Sequence, residues 1–369
     1  MTARLDLRNL LAELVAIPSV SGDEAAIAAF ASDVLAAAGL DVERVGNSVV
    51  ARLVRGPDDA RPRFLLFSHL DTVPVGEGWT HDPFRSGWYD DRLFGRGAND
   101  AKAAAAAMIA ALVAEAAAPE IGDGELVLAL NANEETDNSG MRAVLAAIGL
   151  PDGAVCGEPT GLEVVRAQAG LALLRAEWRG RSCHAAHVAR AEHENALLAA
   201  AGEIATLPAW LALGPEHPLL GVSTIAPTVL TAGKRHNVVP DKAELTLDCR
   251  LAPPHDAARA RQLVAERLLM AEVSIVSERL KPFETDEAHP LVRAALACAG
   301  RARAIGSMTL SDMALLQGVA AVKCGPGESS RSHTPDEYVL AEEVEAGAVF
   351  YRRLIHSALP ALVEGGVLR

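Results

Sequence analysis

Continuous apolar segments alternate along the chain with segments of helical periodicity, and this alternation predicts the fold. The runs "RFLLFSH" (63–69) and "ELVLALNA" (125–132) are typical of strands buried on both faces of a sheet. Between them, "AKAAAAAMIAALVAEAAAPE" (101–120) predicts a helix packed against that sheet. Lys102 and Glu115 interrupt this helix, which is too short and too weakly apolar to span a membrane.

Two helices are predicted before the first strands. One covers about residues 5–16. The sequence "SGDE" then indicates a capping box, with Ser21 as the N-cap of a second helix and Glu24 three residues later. That helix runs to Gly39, and Gly46–Asn47 predicts a turn between two short strands.

The pattern changes in the middle of the chain. Between residues 168 and 280, segments such as "LALLRAEWRGRS" and "AELTLDCRLAP" predict antiparallel strands with two helices between them. The alternation of the first part returns from about residue 281. We therefore expect an α/β domain with a mostly parallel sheet and helices on both faces, formed by 1–167 and 281–369. An α+β sandwich domain, 168–280, is inserted into it.

Composition excludes some classes of function. A chain of 369 residues exceeds one typical core, which agrees with two domains. The net charge of −14 argues against nucleic acid as a partner and disfavours an anionic membrane surface. The N-terminal segment shows no signal-peptide core. Five scattered cysteines without a C-x-x-C pair favour free thiols, so we expect a cytoplasmic protein.

Acidic residues and histidines stand at the ends of the predicted strands. They occur in "FSHLDTVP" (His69, Asp71), "GRGANDAK" (Asp100), "NANEETD" (Glu134, Glu135), "CGEPT" (Glu158) and "GPGESSRSHTPDE" (His333). The carboxyl ends of parallel strands share one crevice, so these side chains are expected to meet there. Two histidines with several carboxylates form a ligand set suited to Zn²⁺ or a similar ion. More than four ligands indicate two ions with a bridging carboxylate.

Each motif alone also has an ordinary structural interpretation. The acids Glu134 and Glu135 could form a polar loop after a buried strand, and a histidine at a strand end is more often a satisfied polar residue. "GRGAND" lacks the third glycine of a dinucleotide fingerprint, and "GPGESS" has no Walker A lysine. No G-x-S-x-G elbow supports a serine hydrolase. The joint occurrence of the motifs favours a hydrolytic metal centre.

With these motifs the chain resembles the two-zinc metallopeptidase family that includes acetylornithine deacetylase, succinyl-diaminopimelate desuccinylase, aminoacylase and glutamate carboxypeptidase. The resemblance covers essentially the whole chain and includes "GRSCHAA", "HNVVPDKAELTLDCR" and "TLSD" beside the motifs above. It implies two Zn²⁺ ions, for which Co²⁺ can substitute, and hydrolysis of a small N-acyl amino acid. The segments 1–167 and 281–369 would form the catalytic metal-binding domain.

The resemblance also implies a role for each ligand. His69 and Glu158 would hold one zinc ion, Glu135 and His333 would hold the other, and Asp100 would bridge them. The family pattern further predicts a cis peptide bond after Asp100.

Two acids would act beside the ligands. Asp71 would orient His69. Successive side chains on an extended strand point in opposite directions, so Glu134 and Glu135 are expected to differ in role. The resemblance makes Glu134 the general base that takes the proton of the attacking water.

The inserted domain would serve dimerisation and act as a lid. The resemblance implies that His184 stabilises the oxyanion across a homodimer, and that Arg250 and Asn237 hold the substrate α-carboxylate. The alternatives are a polar loop residue for His184 and a sheet-edge pair with Asp248 for Arg250. The loop 185–194 carries extra residues, and its histidines are expected at the surface.

From the resemblance we expect N-acetylornithine of arginine biosynthesis as the substrate. N-acetyl- or N-succinylcitrulline, succinyl-diaminopimelate and dipeptides are the alternatives, and Arg331 and Lys234 are candidates for contacting the acyl group. A metal-binding scaffold without activity is disfavoured because all the ligands and the base are present.

Overall fold

The computed structural model describes residues 5–57, 61–85, 87–118 and 120–364, and the chain divides into two compact units. The first unit comprises Met1–Arg166, Thr285–Ile305 and Ser311–Arg369. The second comprises Ala167–Glu284 and Gly306–Leu310.

The helices are α1 (Leu7–Ala16), α2 (Ala25–Ala37), α3 (Lys102–Ala117), α4 (Ser139–Ile148), α5 (Ala196–Ile204), α6 (Ala257–Arg267), α7 (Pro290–Ala299) and α8 (Ala341–Glu364). The strands are β1 (Asp41–Val45), β2 (Ser48–Arg55), β3 (Arg63–His69), β4 (Trp88–Tyr89), β5 (Arg92–Phe94), β6 (Gly124–Asn131), β7 (Gly153–Cys156), β8 (Val165–Gln168), β9 (Gly170–Arg179), β10 (Leu211–Ala212), β11 (Thr224–Ala232), β12 (Lys242–Leu251), β13 (Glu272–Leu280), β14 (Phe283–Glu284), β15 (Ile305–Ser307), β16 (Ala320–Lys323) and β17 (Tyr338–Leu340).

The central sheet is parallel in its middle and antiparallel towards both edges. Its order begins β1-β2-β6-β3-β7-β16-β8, and β8 runs antiparallel to β16. Strands β6, β3, β7 and β16 are mutually parallel, whereas β2 runs antiparallel to β6 and β1 antiparallel to β2. The predicted α/β fold is therefore confirmed, and the carboxyl ends of four strands lie at one edge of the sheet.

Helices cover both faces of this sheet. Phe64 and Leu66 of β3 are fully buried in the core cluster that contains α1, α2, α3 and α8. On the opposite face, Met141 of α4 contacts the side chain of Asn131. The small alanine side chains of α3 allow this helix to lie close to the backbone after β7. A Cβ built on Gly157 would lie 2.9 Å from the Cβ of Ala104.

The two charged residues inside α3 are buried with partners. The ammonium group of Lys102 donates hydrogen bonds to the carbonyl oxygens of Leu14 (3.1 Å) and Ile17 (2.9 Å) at the end of α1. The carboxylate of Glu115 lies 2.8 Å from His356 Nε2 on α8. Both charges therefore fix α3 to neighbouring helices.

The predicted capping box is wrong. Helix α2 begins at Ala25, and no side chain caps its first turn. The hydroxyl of Ser21 donates instead to the carboxylate of Asp71 at 2.7 Å. The carboxylate of Glu24 accepts the backbone N–H of Asn133 at 3.2 Å. Glu24 also accepts the backbone N–H of Gly22 at 2.7 Å. Ser21 is therefore bonded to a residue distant in sequence, and Glu24 to one near residue and one distant residue.

The second unit is built on a five-stranded antiparallel sheet in the order β10-β11-β12-β9-β13. Helices α5 and α6 pack on it through a separate core cluster that includes Trp178, Ala200 and Val264. Beyond its pairing with β10 at Thr224 and Ile225, strand β11 has no further partner on that side in the described chain. Its residues Val229 and Leu230 are about half exposed.

No helix within the described residues has the length and apolar character needed to cross a membrane. All five cysteines are free thiols.

Two helical glycines give a matched stability prediction. A Cβ at Gly140 in α4 would meet the carbonyl oxygen of Ala132 and lie 2.8 Å from the hydroxyl of Ser48, whereas a Cβ at Gly202 in α5 would meet nothing within 4 Å. Gly140→Ala should therefore lower the free energy of unfolding by about 1–3 kcal/mol because of overpacking. Gly202→Ala should raise it by about 0.5–1 kcal/mol through helix propensity. Urea denaturation of both variants measures this, and equal effects would contradict the predicted packing of α4.

Candidate metal centre and active site

The topology brings the acidic strand-end motifs to one edge of the sheet. His69 is the last residue of β3 and is in register with Asn131 at the end of β6. Glu134 and Glu135 follow β6 directly, and Glu158 follows β7, which is also parallel to β3. Their meeting follows from parallel pairing.

Two histidines face Asp100 from opposite sides. His69 Nε2 lies 3.2 Å from Asp100 Oδ1 and 4.0 Å from Glu158 Oε1. His333 Nε2 lies 3.5 Å from Asp100 Oδ2 and 2.9 Å from Glu135 Oε1. Each oxygen of Asp100 is thus directed at a different histidine.

This arrangement could hold a metal ion. Ligand atoms of His69, Asp100 and Glu135 all lie within 4.8 Å of one another. The peptide bond between Asp100 and Ala101 is cis, as predicted. The other candidate ligands are His333, which is exposed, and Glu158, which is largely buried.

Asp71 was expected to orient His69, and its carboxylate also forms hydrogen bonds with other residues. Its carboxylate accepts the backbone N–H groups of Glu134 (3.0 Å) and Glu135 (3.1 Å) and the hydroxyl of Ser21 (2.7 Å). The same carboxylate lies 3.6 Å from His69 Nδ1, which is 2.9 Å from the backbone carbonyl of Asp71. Asp71 therefore fixes the loop that carries the two glutamates.

Buried carboxylates outnumber the cationic groups at this edge of the sheet, and their pKa values are shifted. Loss of solvent raises the pKa of Glu158 to about 8 and the pKa of Asp312 to about 7. It also raises the pKa of Glu134 well above its usual range, and the charge of Glu158 adds to that effect. Burial alone would lower the pKa of His69, but the carboxylates of Asp100 and Asp71 raise it well above the ordinary value.

Such a cluster needs positive charge. Crowded carboxylates out of water either retain protons or bind cations. The donors are imidazole nitrogens and carboxylate oxygens, the set that Zn²⁺ and similar divalent ions accept. The residues present therefore fit a divalent metal centre.

Two buried acids in this region were not assigned a role from the sequence. Asp312 accepts hydrogen bonds from the side-chain amides of Asn131 (3.0 Å) and Asn138 (3.1 Å). Its motif, "TLSD", contributed to the family resemblance and was the available signal. Glu337 accepts the backbone N–H groups of Asn99 and Asp100, each at 2.9 Å. Glu337 is the last residue of "GPGESSRSHTPDE", so that motif was the available signal, but only His333 was singled out from it.

The second unit brings His184 and Asn237 next to each other. The backbone N–H of Ala185 donates to the carbonyl of Asn237 at 2.9 Å, and His184 is paired with Val238 in an antiparallel bridge. The His184 ring is exposed, and its Nδ1 accepts the N–H of Ala186 at 3.1 Å.

Arg250 is not at a sheet edge, because β12 lies between β11 and β9. Its pairing with Asp248 is present, with Nε 2.8 Å and Nη2 3.3 Å from the two carboxylate oxygens. The edge interpretation is therefore wrong, whereas the ion pair is confirmed.

The remaining candidates differ in exposure. His187 and Lys234 are exposed, whereas His193 is partly buried and lies 3.0 Å from the carbonyl of Ala191. Arg331 is paired with Glu343 at 2.8 Å and also lies over the ring of Tyr338, 4.6 Å from its centroid.

Comparison with known proteins identifies the family of this chain. Residues 65–357 match the peptidase family M20/M25/M40. A succinyl-diaminopimelate desuccinylase from Paracoccus denitrificans (strain Pd 1222) is 32% identical over 76% of this chain and 75% of its own length. An acetylornithine deacetylase from Myxococcus xanthus is 29% identical over 95% of this chain and 97% of its own.

Solved structures show the same fold. An M20 family metallo-carboxypeptidase from Sulfolobus solfataricus superposes with a TM-score of 0.75 at 17% identity, covering 96% of this chain and 99% of that one. A dinuclear metal binding peptidase of the M20 family from Bacillus subtilis gives 0.73 at 18% identity, with 96% and 98% covered. The chain belongs to peptidase family M20/M25/M40 and is a hydrolase.

Proposed function

We propose that this hydrolase removes the acyl group from small N-acyl amino acids at a centre of two Zn²⁺ ions, which Co²⁺ can replace. His69 and Glu158 would hold one ion, Glu135 and His333 would hold the second, and Asp100 would be shared between them. The observation that supports this most directly is the division of the Asp100 oxygens between the two histidines, at 3.2 and 3.5 Å.

Glu134 is the base in this proposal. Bound divalent cations would lower the pKa of water from about 15.7 towards 7. Glu135 contacts His333, whereas the Glu134 carboxylate has no hydrogen bond among the described residues and is available to a reactant. Its carboxylate takes the proton of the attacking water and later delivers it to the departing amine nitrogen. Asp71 keeps the Glu134 backbone in place during both transfers.

Replacing the base should separate chemistry from metal binding. Glu134→Gln keeps the size of the side chain but cannot accept the proton, so we expect two metal ions per chain by elemental analysis and a rate below a tenth of wild type. The neighbouring variant Glu135→Gln is the control, and it should lose bound metal because it replaces a ligand. A Glu134→Gln enzyme that keeps more than a tenth of the wild-type rate would refute the assignment.

We also propose a homodimer formed through the second unit, with His184 of one subunit stabilising the oxyanion in the site of the other. The open edge of β11 supports this, since an unpaired edge strand with exposed apolar residues is a template for pairing with another chain. Two copies of one edge pair with twofold symmetry.

Mixing two inactive variants tests the shared site. Glu134→Gln lacks the base, and His184→Ala lacks an oxyanion donor, a loss that typically costs about 10²–10³ in rate. If each site draws on both subunits, mixed dimers contain one site with both intact residues, and activity should recover in the mixture. A mixture of differently tagged Glu134→Gln chains is the control. Proven subunit exchange without recovered activity would exclude the shared site.

The proposed substrate is N-acetylornithine, with the α-carboxylate held by Arg250 and Asn237. Arg250 uses Nε and Nη2 toward Asp248, which leaves further N–H donors of its guanidinium for a substrate carboxylate. Succinyl-diaminopimelate is the second candidate, because relatives of that name are 32% identical to this chain. N-acylcitrulline and dipeptides follow.

A substrate panel decides among these candidates. We expect the highest kcat/KM on acetylornithine or acetylcitrulline in a panel of acetyl and succinyl derivatives of ornithine, citrulline, diaminopimelate and methionine. A tenfold preference corresponds to about 1.4 kcal/mol in transition-state binding. Such a preference for any compound outside the ornithine and citrulline pair would overturn the arginine-pathway assignment. Absence of turnover on the whole panel, with both metals bound, would favour a scaffold.

A further inference from the structure

Glu337 holds the backbone on which the bridging carboxylate is mounted. Its side chain is 1% exposed, and Oε1 accepts the N–H groups of Asn99 and Asp100 at 2.9 Å each. Two consecutive N–H groups on one oxygen fix the direction of the chain at this point. The position of the Asp100 carboxylate therefore depends on Glu337.

The other oxygen of Glu337 connects to the loop that follows His69. Arg96 Nη1 donates to Glu337 Oε2 at 2.6 Å, and this ion pair is buried. The same guanidinium donates through Nη2 to the carbonyl of Val75 at 3.1 Å and lies over the ring of Trp79. Arg96 thereby connects the loop after His69 to Glu337, which accepts the backbone N–H of Asp100.

The segment that carries His333 also contacts the backbone and side chains around Asn99 and Asp100. Glu337 lies four residues after His333 in sequence, so its side-chain contacts anchor that segment. On the other side of the histidine, Asn99 donates to the carbonyl of Glu328 (3.0 Å) and to the hydroxyl of Ser332 (3.2 Å). One buried acid therefore links three of the chain segments that supply the site.

We propose that Glu337 is a positioning residue for the metal centre, setting the distance between the Asp100 carboxylate and the two histidines. It contacts no reacting atom itself. Groups that orient metal ligands typically contribute about 10- to 100-fold to metal affinity. The inference rests on the metal centre of the proposed function and is independent of the substrate.

A buried ion pair could instead serve stability alone, and Glu125 provides the comparison. It is also buried with an arginine partner, since Arg63 Nε donates to its carboxylate at 2.8 Å. Glu125 and Arg63 are paired near the start of β6 and β3, at the end of those strands opposite to His69. Loss of either carboxylate should destabilise the protein, but only Glu337 is connected to the ligands.

The test is Zn²⁺ titration of metal-free protein by calorimetry, for the wild type, Glu337→Gln and Glu125→Gln. We expect Glu337→Gln to bind Zn²⁺ about 10- to 100-fold more weakly, and Glu125→Gln to bind as the wild type does. Excess Zn²⁺ should restore part of the kcat of Glu337→Gln and leave its KM unchanged.

Arg96→Lys provides a second route if Glu337→Gln does not fold. Lysine keeps the positive charge but lacks the two guanidinium nitrogens that donate to Glu337 and to the carbonyl of Val75, so Zn²⁺ affinity should again fall. Wild-type Zn²⁺ affinity in a folded Glu337→Gln or Arg96→Lys variant would overturn the proposal, whatever happens to stability. The readout is metal binding, so it remains informative if the substrate assignment fails.

Discussion

The organisation of the first unit depends on the repulsion among carboxylates gathered at one edge of its sheet. Asp100, Glu134, Glu135 and Glu158 lie close together with little access to water, and the pKa values of Glu134 and Glu158 are raised accordingly. Taking an ion out of water costs several kcal/mol unless an opposite charge compensates. The imidazole rings of His69 and His333 face these acids. The cations of the proposed centre would offset the remaining cost, so metal binding would stabilise this edge of the sheet.

The acids at this edge divide into two groups by their hydrogen bonds. Asp71, Glu24 and Glu337 each accept two or more hydrogen bonds, most of them from backbone N–H groups, so their negative charge is satisfied within the protein. No backbone N–H of the described residues donates to the carboxylates of Asp100 and Glu158, which lie 3.2 and 4.0 Å from His69 Nε2. The first group shapes the loops, and the second remains available to cations.

The sequence predicted the buried strands at 63–69 and 125–132, the mostly parallel sheet, and Asp100 and Glu158 as candidate ligands, but it did not predict the order of the strands. Runs such as 63–69 are typical of strands buried on both faces of a sheet. Parallel pairing then places the carboxyl ends of these strands at one edge. Asp71 of the first group was expected beside His69, but the backbone hydrogen bonds of this group could not be predicted in the same way. Glu337 and Asp100 are 237 positions apart, and no local pattern marks their contact. The capping box failed for a related reason: Ser21 binds the distant Asp71, and Glu24 accepts the N–H of the distant Asn133 as well as that of Gly22.

The alanines of α3 have a consequence for rigidity. An alanine side chain has no rotamers to lose on burial, so a helix made of alanines is immobilised without the side-chain entropy that longer residues would forfeit. Ala103–Ala107 are fully buried one turn after Asp100. The Asp100 carboxylate is thus mounted on a support whose ordering costs little more than backbone entropy. A longer side chain at one of these alanines would displace that support from the sheet and carry Asp100 with it.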